Sequence, residues 1–254
     1  MKLVESQANV VQRVAAGLHG LPDVASSAAA AQAASRFLNN ERVTLRALVE
    51  PLLECARRDV AEACERFVLA VHDWSELQYR KQHAKRDRLS LSNPHALEGY
   101  ELQTSLLLDD RTGTPLAPAV MSLRAADGVH CSRCGDGRAP QSPLDELAPA
   151  MSYVERLKLG KPVVHIVDAE ADSAAHYREW SACAGRRYLV RADDRYVEYE
   201  GREVKAAQLL AEARAADALK FSREVTYHGR AAKQYVAEYA IRLTRPGQRN
   251  RPNS

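Results

Sequence analysis

"KPVVHIVDAEAD", residues 161–172, decides how the chain is read. Val163, Val164, Ile166 and Val167 make a β-favouring apolar run without regular polar alternation. Such a run suits a buried strand. It then meets Asp168, Glu170 and Asp172 within five positions. An earlier run, "FVLAVHD" (67–73), has the same form and ends on Asp73. If the two strands are neighbours, both terminal carboxylates project from one sheet edge, where open α/β sheets bind ligands. Two close carboxylates repel unless a cation shares them, and Mg²⁺ takes one or two carboxylates while keeping other positions open. The bland alternative is that Asp at a strand end caps the following turn.

Between and around these strands the pattern alternates. "YELQTSLLLDDRTGTPLAPAVMSLRA" places two β-like runs around a turn signal and predicts a hairpin. "SPLDELAPAMSYVERLKLG" predicts a helix with Ser142 as N-cap, Pro143 at its first position and Gly160 as its stop. "SAAHYREWSACAG" predicts another helix, ending at Gly185, and "RRYLVRADD" another strand. A hairpin followed by strand–helix–strand units implies a mixed sheet with helices on its faces. Residues 196–245 are strand-rich with one short helix, and 246–254 have the composition of a disordered tail.

The first 64 residues are helical in pattern. "VASSAAAAQAASRFLNN" is Ala-rich, with Ser26 and Ser27 as caps and an Asn-Asn stop. "VTLRALVEPLLECARRDVAEACERF" spaces Leu45, Leu48, Val49, Leu52 and Leu53 near the helical period, with Pro51 expected to kink or divide it.

The chain has 254 residues, 46% apolar and 27% charged, with a net charge of +3. That is ordinary for a soluble globular protein and too mild to specify a nucleic-acid partner by itself. Its distribution says more. Arg80, Lys81, Lys85, Arg86 and Arg88 crowd one segment, and Arg242, Arg245, Arg249 and Arg251 crowd the C-terminus, as a phosphate backbone would favour. There is no apolar run of about 18 residues and no signal-peptide core. Five cysteines, an odd number, point to a reducing compartment. The expected location is cytoplasmic or nucleoid-associated. "CSRC" (131–134) is a lone Cys-x-x-Cys, short of the four ligands a zinc site needs. His72, His165 and His176 fit structural roles.

Three blocks together resemble the insertion-sequence-four family of DDE transposases. "VVHIVDAEADSAAHYREW" followed by "RRYLVRADDR" is similar to the family's second catalytic block, with Ala169 where an Arg is usual and Glu170, Ala171 and Asp172 matching. "FVLAVHDWSELQY" is similar to the first block; Trp74 and Ser75 replace the usual Thr pair, while Leu77 and Tyr79 remain. "AASRFLNNERVTLRALVEP" resembles the family's N-terminal DNA-binding region and includes Arg36. The resemblance runs from about residue 15 to 195, in order.

It implies an α/β fold: a helical DNA-binding domain over 1–64, the first part of a ribonuclease H-like catalytic core over 65–195, and a β-rich insert over 196–245. It implies cut-and-paste transposition on double-stranded transposon ends, with Mg²⁺ or Mn²⁺ and a homodimer in the synaptic complex. Asp73 and Asp168 would be catalytic and metal-binding. Arg36, Arg80, Lys81, Lys85, Arg86, Arg88 and Arg191 would contact DNA, with Arg191 suited to hold a phosphate bidentately. The family's third carboxylate is a late Glu in a Tyr-Arg-Glu-Lys pattern. "YREW" (177–180) does not supply it, and the chain ends in "RPGQRNRPNS". The resemblance therefore implies a truncated, inactive transposase. The alternatives are a DNA-binding or dimerisation fragment that inhibits transposition, or another ribonuclease H-like nuclease. Glu170 and Asp172 are expected to be charges at a helix start.

Overall fold

The structure, a computed structural model, describes residues 28–79, 84–91, 97–133, 135–137 and 142–243. Arg80, Lys81, the Ser26 and Ser27 caps, Cys134, Arg245 and the expected tail 246–254 lie outside those residues. The protein is a mixed α/β molecule. Helix α1 spans Ala28–Leu38 and α2 Leu45–Ala63; strands β1 (Val68–Gln78), β2 (Leu89–Ser90), β3 (Glu98–Asp109), β4 (Pro115–Ala125), β5 (Gly128–Cys131) and β6 (Gly135–Gly137) follow. Then come α3 (Leu147–Arg156), β7 (Val163–Val167), α4 (Ala174–Ala182) and β8 (Arg187–Val190). Beyond these lie β9 (Tyr196–Tyr199), β10 (Arg202–Lys205), α5 (Ala206–Ala215), β11 (Lys220–Tyr227) and β12 (Arg230–Val236).

The main sheet has the order β6-β5-β4-β3-β1-β7-β8, with β2 paired to β3. β1 runs antiparallel to β3 along its whole length and parallel to β7 from Val68↔Val163 to His72↔Val167; β7 and β8 are also parallel. The predicted hairpin is β3–β4. Its turn is organised by Asp109, whose carboxylate accepts bonds from the backbone N–H groups of Arg111, Thr112 and Thr114 and from the Thr112 hydroxyl. Where β1 and β3 run out together, the backbones close in at Gly99. A Cβ there would stand 2.0 Å from the Leu77 carbonyl oxygen, so only glycine fits.

Core residues come from one face. Val68, Ala70, Leu107, Ala117, Ala119 and Val129 pack with Val49, Leu53, Ala56 and Val60 of α2 and with Ala150 and Val154 of α3. Val167 joins Leu147, Met151, Ala171 and Trp180, so α4 lies on the same face beside α3. Helix α2 starts at Thr44, whose hydroxyl accepts the Ala47 N–H, and it continues unbroken past Pro51. The expected division there does not occur. Pro51 is exposed, and the packed stripe Val49–Leu53–Ala56–Val60 holds the helix on the sheet across it. Leu45, Leu48 and Leu52, which spacing assigns to the packed face, are instead exposed.

Three helix ends also differ from expectation. Ser142 caps a 3-10 turn, Pro143–Glu146, through a capping box with Asp145, and α3 begins only after it. The chain leaves α3 at Lys158, which takes φ 51, two residues before the anticipated Gly160. Leu157 and Leu159 both enter the core, and that demand sets the stop. Helix α4 likewise ends at Ala182, before Gly185.

Residues 196–243 form two small ribbons and a helix, with Val197, Val204 and Leu209 as a local core. Both ribbons turn through two residues of positive φ, Glu200-Gly201 and His228-Gly229. That is the mirror-image turn whose twist matches paired strands.

Candidate functional site

Strand β1 does not end at Asp73. It continues five residues further, to Gln78, against β3. What ends near Asp73 is the parallel pairing: the last β1–β7 pair is His72↔Val167. Asp73 and Asp168 are the residues that follow this last pair, Asp73 within β1 and Asp168 just past the end of β7. Arg191 follows Val190, the last partner of Val167 on β8, and its N–H donates to the Val167 carbonyl. The three residues form a short row across β1, β7 and β8.

Pleat alternation places this row on the face opposite the core. The core clusters draw Val68, Ala70 and Trp74 from β1, Val163 and Val167 from β7, and Tyr188 and Val190 from β8. Their alternates, Leu69, Val71, Val164 and Ile166, are only half-buried, and Leu189 is 62% exposed. A shallow depression of about 430 Å³ runs over this apolar floor and is rimmed by Asp73, Asp168 and Arg191.

Asp168 does two things at once. Its Oδ1 accepts the Glu170 N–H at 2.9 Å, capping the 3-10 turn Ala169–Ala171, and its Oδ2 lies 3.8 Å from the Arg191 guanidinium. The Arg191 side chain is 76% exposed, so this ion pair is weak and leaves the guanidinium free to turn toward a ligand. Asp73 is exposed. Oxygen donors on two adjacent strands suit a hard divalent cation that keeps other ligand positions open. Among the described residues, no third His, Cys, Asp or Glu joins them into a metal-holding group.

Directly behind the row runs a buried polar chain. His72 Nδ1 is 2.9 Å from the Ser105 hydroxyl, and its Nε2 is 2.9 Å from His165 Nδ1. His165 Nε2 then meets Glu155, which holds Arg186 at 2.8 and 2.9 Å. One proton arrangement satisfies every member: both imidazoles neutral with hydrogen on Nε2, each donating toward Glu155, and Ser105 donating to His72. Burial, and then the neighbouring His165, push the His72 imidazole down to about 3. Burial lowers His165 to about 4 against the opposing pull of Glu155.

Asp172 is not a helix-start charge. Its side chain is 1% exposed, ion-paired to the similarly buried Arg195, and it accepts the Tyr177 hydroxyl at 2.7 Å and the Asp193 N–H at 2.8 Å. Spacing could not reveal this, because Arg195 lies 23 residues on. Glu170 is exposed.

The expected DNA-contacting cations fare differently. Arg36 and Arg86 are exposed. Arg88 is folded inward: it donates to the carbonyls of Lys85 and Tyr79 and pairs with Glu98 at 2.6 Å. Lys85 lies over the Tyr79 and Tyr100 rings. Cys131 is buried in β5, where its sulfur accepts the Ser122 hydroxyl.

Fold and site together define an α/β protein whose parallel strands crown one open sheet face with two carboxylates and an arginine. No family model matches the chain, and no curated protein does. No helix among the described residues is long and apolar enough to cross a membrane.

Proposed function

We propose that residues 65–195 form the first part of a ribonuclease H-like core and that the chain is a DNA-binding protein of the DDE transposase type, carrying two of the three carboxylates of a phosphodiester-processing site. The observation that carries this reading is the row Asp73–Asp168–Arg191 across β1, β7 and β8. The strand order supports it. A long antiparallel meander, β4-β3-β1, adjoins two parallel strands entered through helices, which is the ribonuclease H-like arrangement.

In this reading Asp73 and Asp168 hold a divalent cation, Mg²⁺ or Mn²⁺, and Arg191 grips a phosphate oxygen of the DNA. A bound pair of such ions would activate an attacking hydroxyl and stabilise the leaving oxygen. With two carboxylates in the row and no third joining them among the described residues, metal binding would be weak and strand cleavage slow. The partner is double-stranded DNA, bound by Arg36, Arg86 and Arg191 among others, and a homodimer would pair two ends.

The test is a nicking assay on duplex DNA with Mn²⁺ and with Mg²⁺, run beside a gel-shift measurement. DNA binding with little or no nicking is expected. Rapid nicking would overturn the incomplete-site reading, and absence of any duplex binding would overturn the DNA reading altogether.

A further inference from the structure

The β11–β12 ribbon is sparsely packed. Every residue of both strands is exposed except Val225 and Ala232, which pair with each other across the ribbon. Phe221, Tyr227 and Tyr235 are 55%, 67% and 51% exposed. A lone two-stranded ribbon is marginal in water, so a ribbon with aromatic side chains left open on both faces is built to be covered.

Its charges are sorted by face. The register pairs Lys220↔Val236, Arg223↔Gln234, Val225↔Ala232 and Tyr227↔Arg230, and the bulge between Phe221 and Arg223 keeps all these pairs on one face. That face carries three cations, an amide and no acid, and none of the three cations forms an ion pair among the described residues. The opposite face places Glu224 against Lys233 and Phe221 against Tyr235, and is neutral in charge. Arg223 is aligned by a 3.0 Å bond to Gln234. The tight His228-Gly229 turn leaves the tip narrow.

We propose that the Lys220/Arg223/Arg230 face of this ribbon docks in the major groove of duplex DNA. A two-stranded ribbon fits a B-form major groove of about 12 Å. The eight residues of β11 span about 26 Å at about 3.3 Å each, enough to cross from one phosphate wall to the other. Lys220 and Arg230 stand at opposite ends of that length and meet the phosphates, while Arg223 and Gln234 lie between them against the base edges. Duplex RNA, with a deep and narrow major groove, does not admit the ribbon. The inference shares with the proposed function only the nature of the partner. It uses neither the carboxylate row nor a metal.

The test is fluorescence-anisotropy titration of the full chain with a 20-base-pair DNA duplex and the same duplex as RNA, across salt concentrations. The K220S/R223S/R230S variant is expected to bind DNA at least roughly tenfold more weakly at 0.1 M salt. Its salt slope should be smaller by about 1.8, since each of the two phosphates no longer neutralised removes about 0.9. K233S, on the neutral face, should leave both unchanged, and R223K should keep the slope. Circular dichroism checks that each variant is folded. Unchanged affinity and slope in the triple variant would overturn the proposal, as would an equal effect of K233S or equal binding to duplex RNA. Asp73→Ala and Asp168→Ala separate the two readings: they test the carboxylate row and should leave ribbon-dependent binding intact.

Discussion

At the scale of single residues, the acids of one short stretch have separate fates. Asp168 sits on the open sheet face and caps a turn; Asp172, four residues later, is sealed inside a polar core. Asp172→Ala should cost about 3–5 kcal/mol, because it removes the buried carboxylate that pairs with the Arg195 guanidinium. Asp168→Ala should cost only the cap, about 1 kcal/mol, while abolishing whatever divalent-cation binding the chain has. Urea denaturation and isothermal titration with Mn²⁺ would measure the two effects. Equal stability losses at both sites would contradict the different environments described for them.

The imidazole pair makes a pH prediction. In the unfolded chain both histidines titrate near 6.5; folded, His165 stays neutral until about 4 and His72 until about 3. Their contribution to stability is complete above pH 6.5 and is lost as pH falls through that window. Each adds a slope of up to about 1.4 kcal/mol per pH unit. Asp109, held well below the usual carboxylate range by the Thr112 bonds, adds a loss of the same sign below about pH 4. A His72→Gln/His165→Gln variant should flatten the dependence between pH 6.5 and 4 in denaturant melts at fixed pH. A slope as steep as the wild type would assign the acid sensitivity elsewhere.

At the scale of elements, capping and turn chemistry were largely legible. Thr44, Ser142 and Ser173 all cap where a Ser or Thr precedes a helical pattern. Thr44→Ala should destabilise by about 1 kcal/mol, read as a shift in the urea midpoint. What spacing could not decide was where tertiary contacts overrule local signals. Pro51 is carried through by the packed stripe around it. Lys158 adopts a glycine-like φ because Leu157 and Leu159 must turn into the core. The basic segment shows the same limit. Its charges read as one patch in sequence, yet Arg88 is consumed by its own loop while Arg86 stays in solvent.

For the whole molecule, the helices α2, α3 and α4 all lie on one side of the sheet. The continuous apolar runs of β1 and β7 are those of strands covered on both sides, yet one side stays open, and the carboxylate row stands at its edge. Core substitutions should report this asymmetry. Leu107→Ala, on the covered face, should cost about 2–5 kcal/mol, and Leu189→Ser, on the open face, should stay within about 0.5 kcal/mol. A comparable destabilisation at both positions would mean that the open face is buried in solution.

By itself the sequence determined the class of the fold, the two apolar strands with Asp73 and Asp168 after their cores, the β3–β4 hairpin and the strand-rich stretch after 195. These follow from periodicity and turn chemistry, which act over a few neighbouring residues. Only the tertiary structure decided that β1 and β7 are parallel neighbours in a register that brings Asp73 and Asp168 to the rim of one depression. The same holds for the pairing of Asp172 with Arg195 and of His72 with His165, and for which sheet face is left open. Each of those depends on contacts between residues far apart in the chain, where the energy of burying or satisfying a group outweighs any local preference.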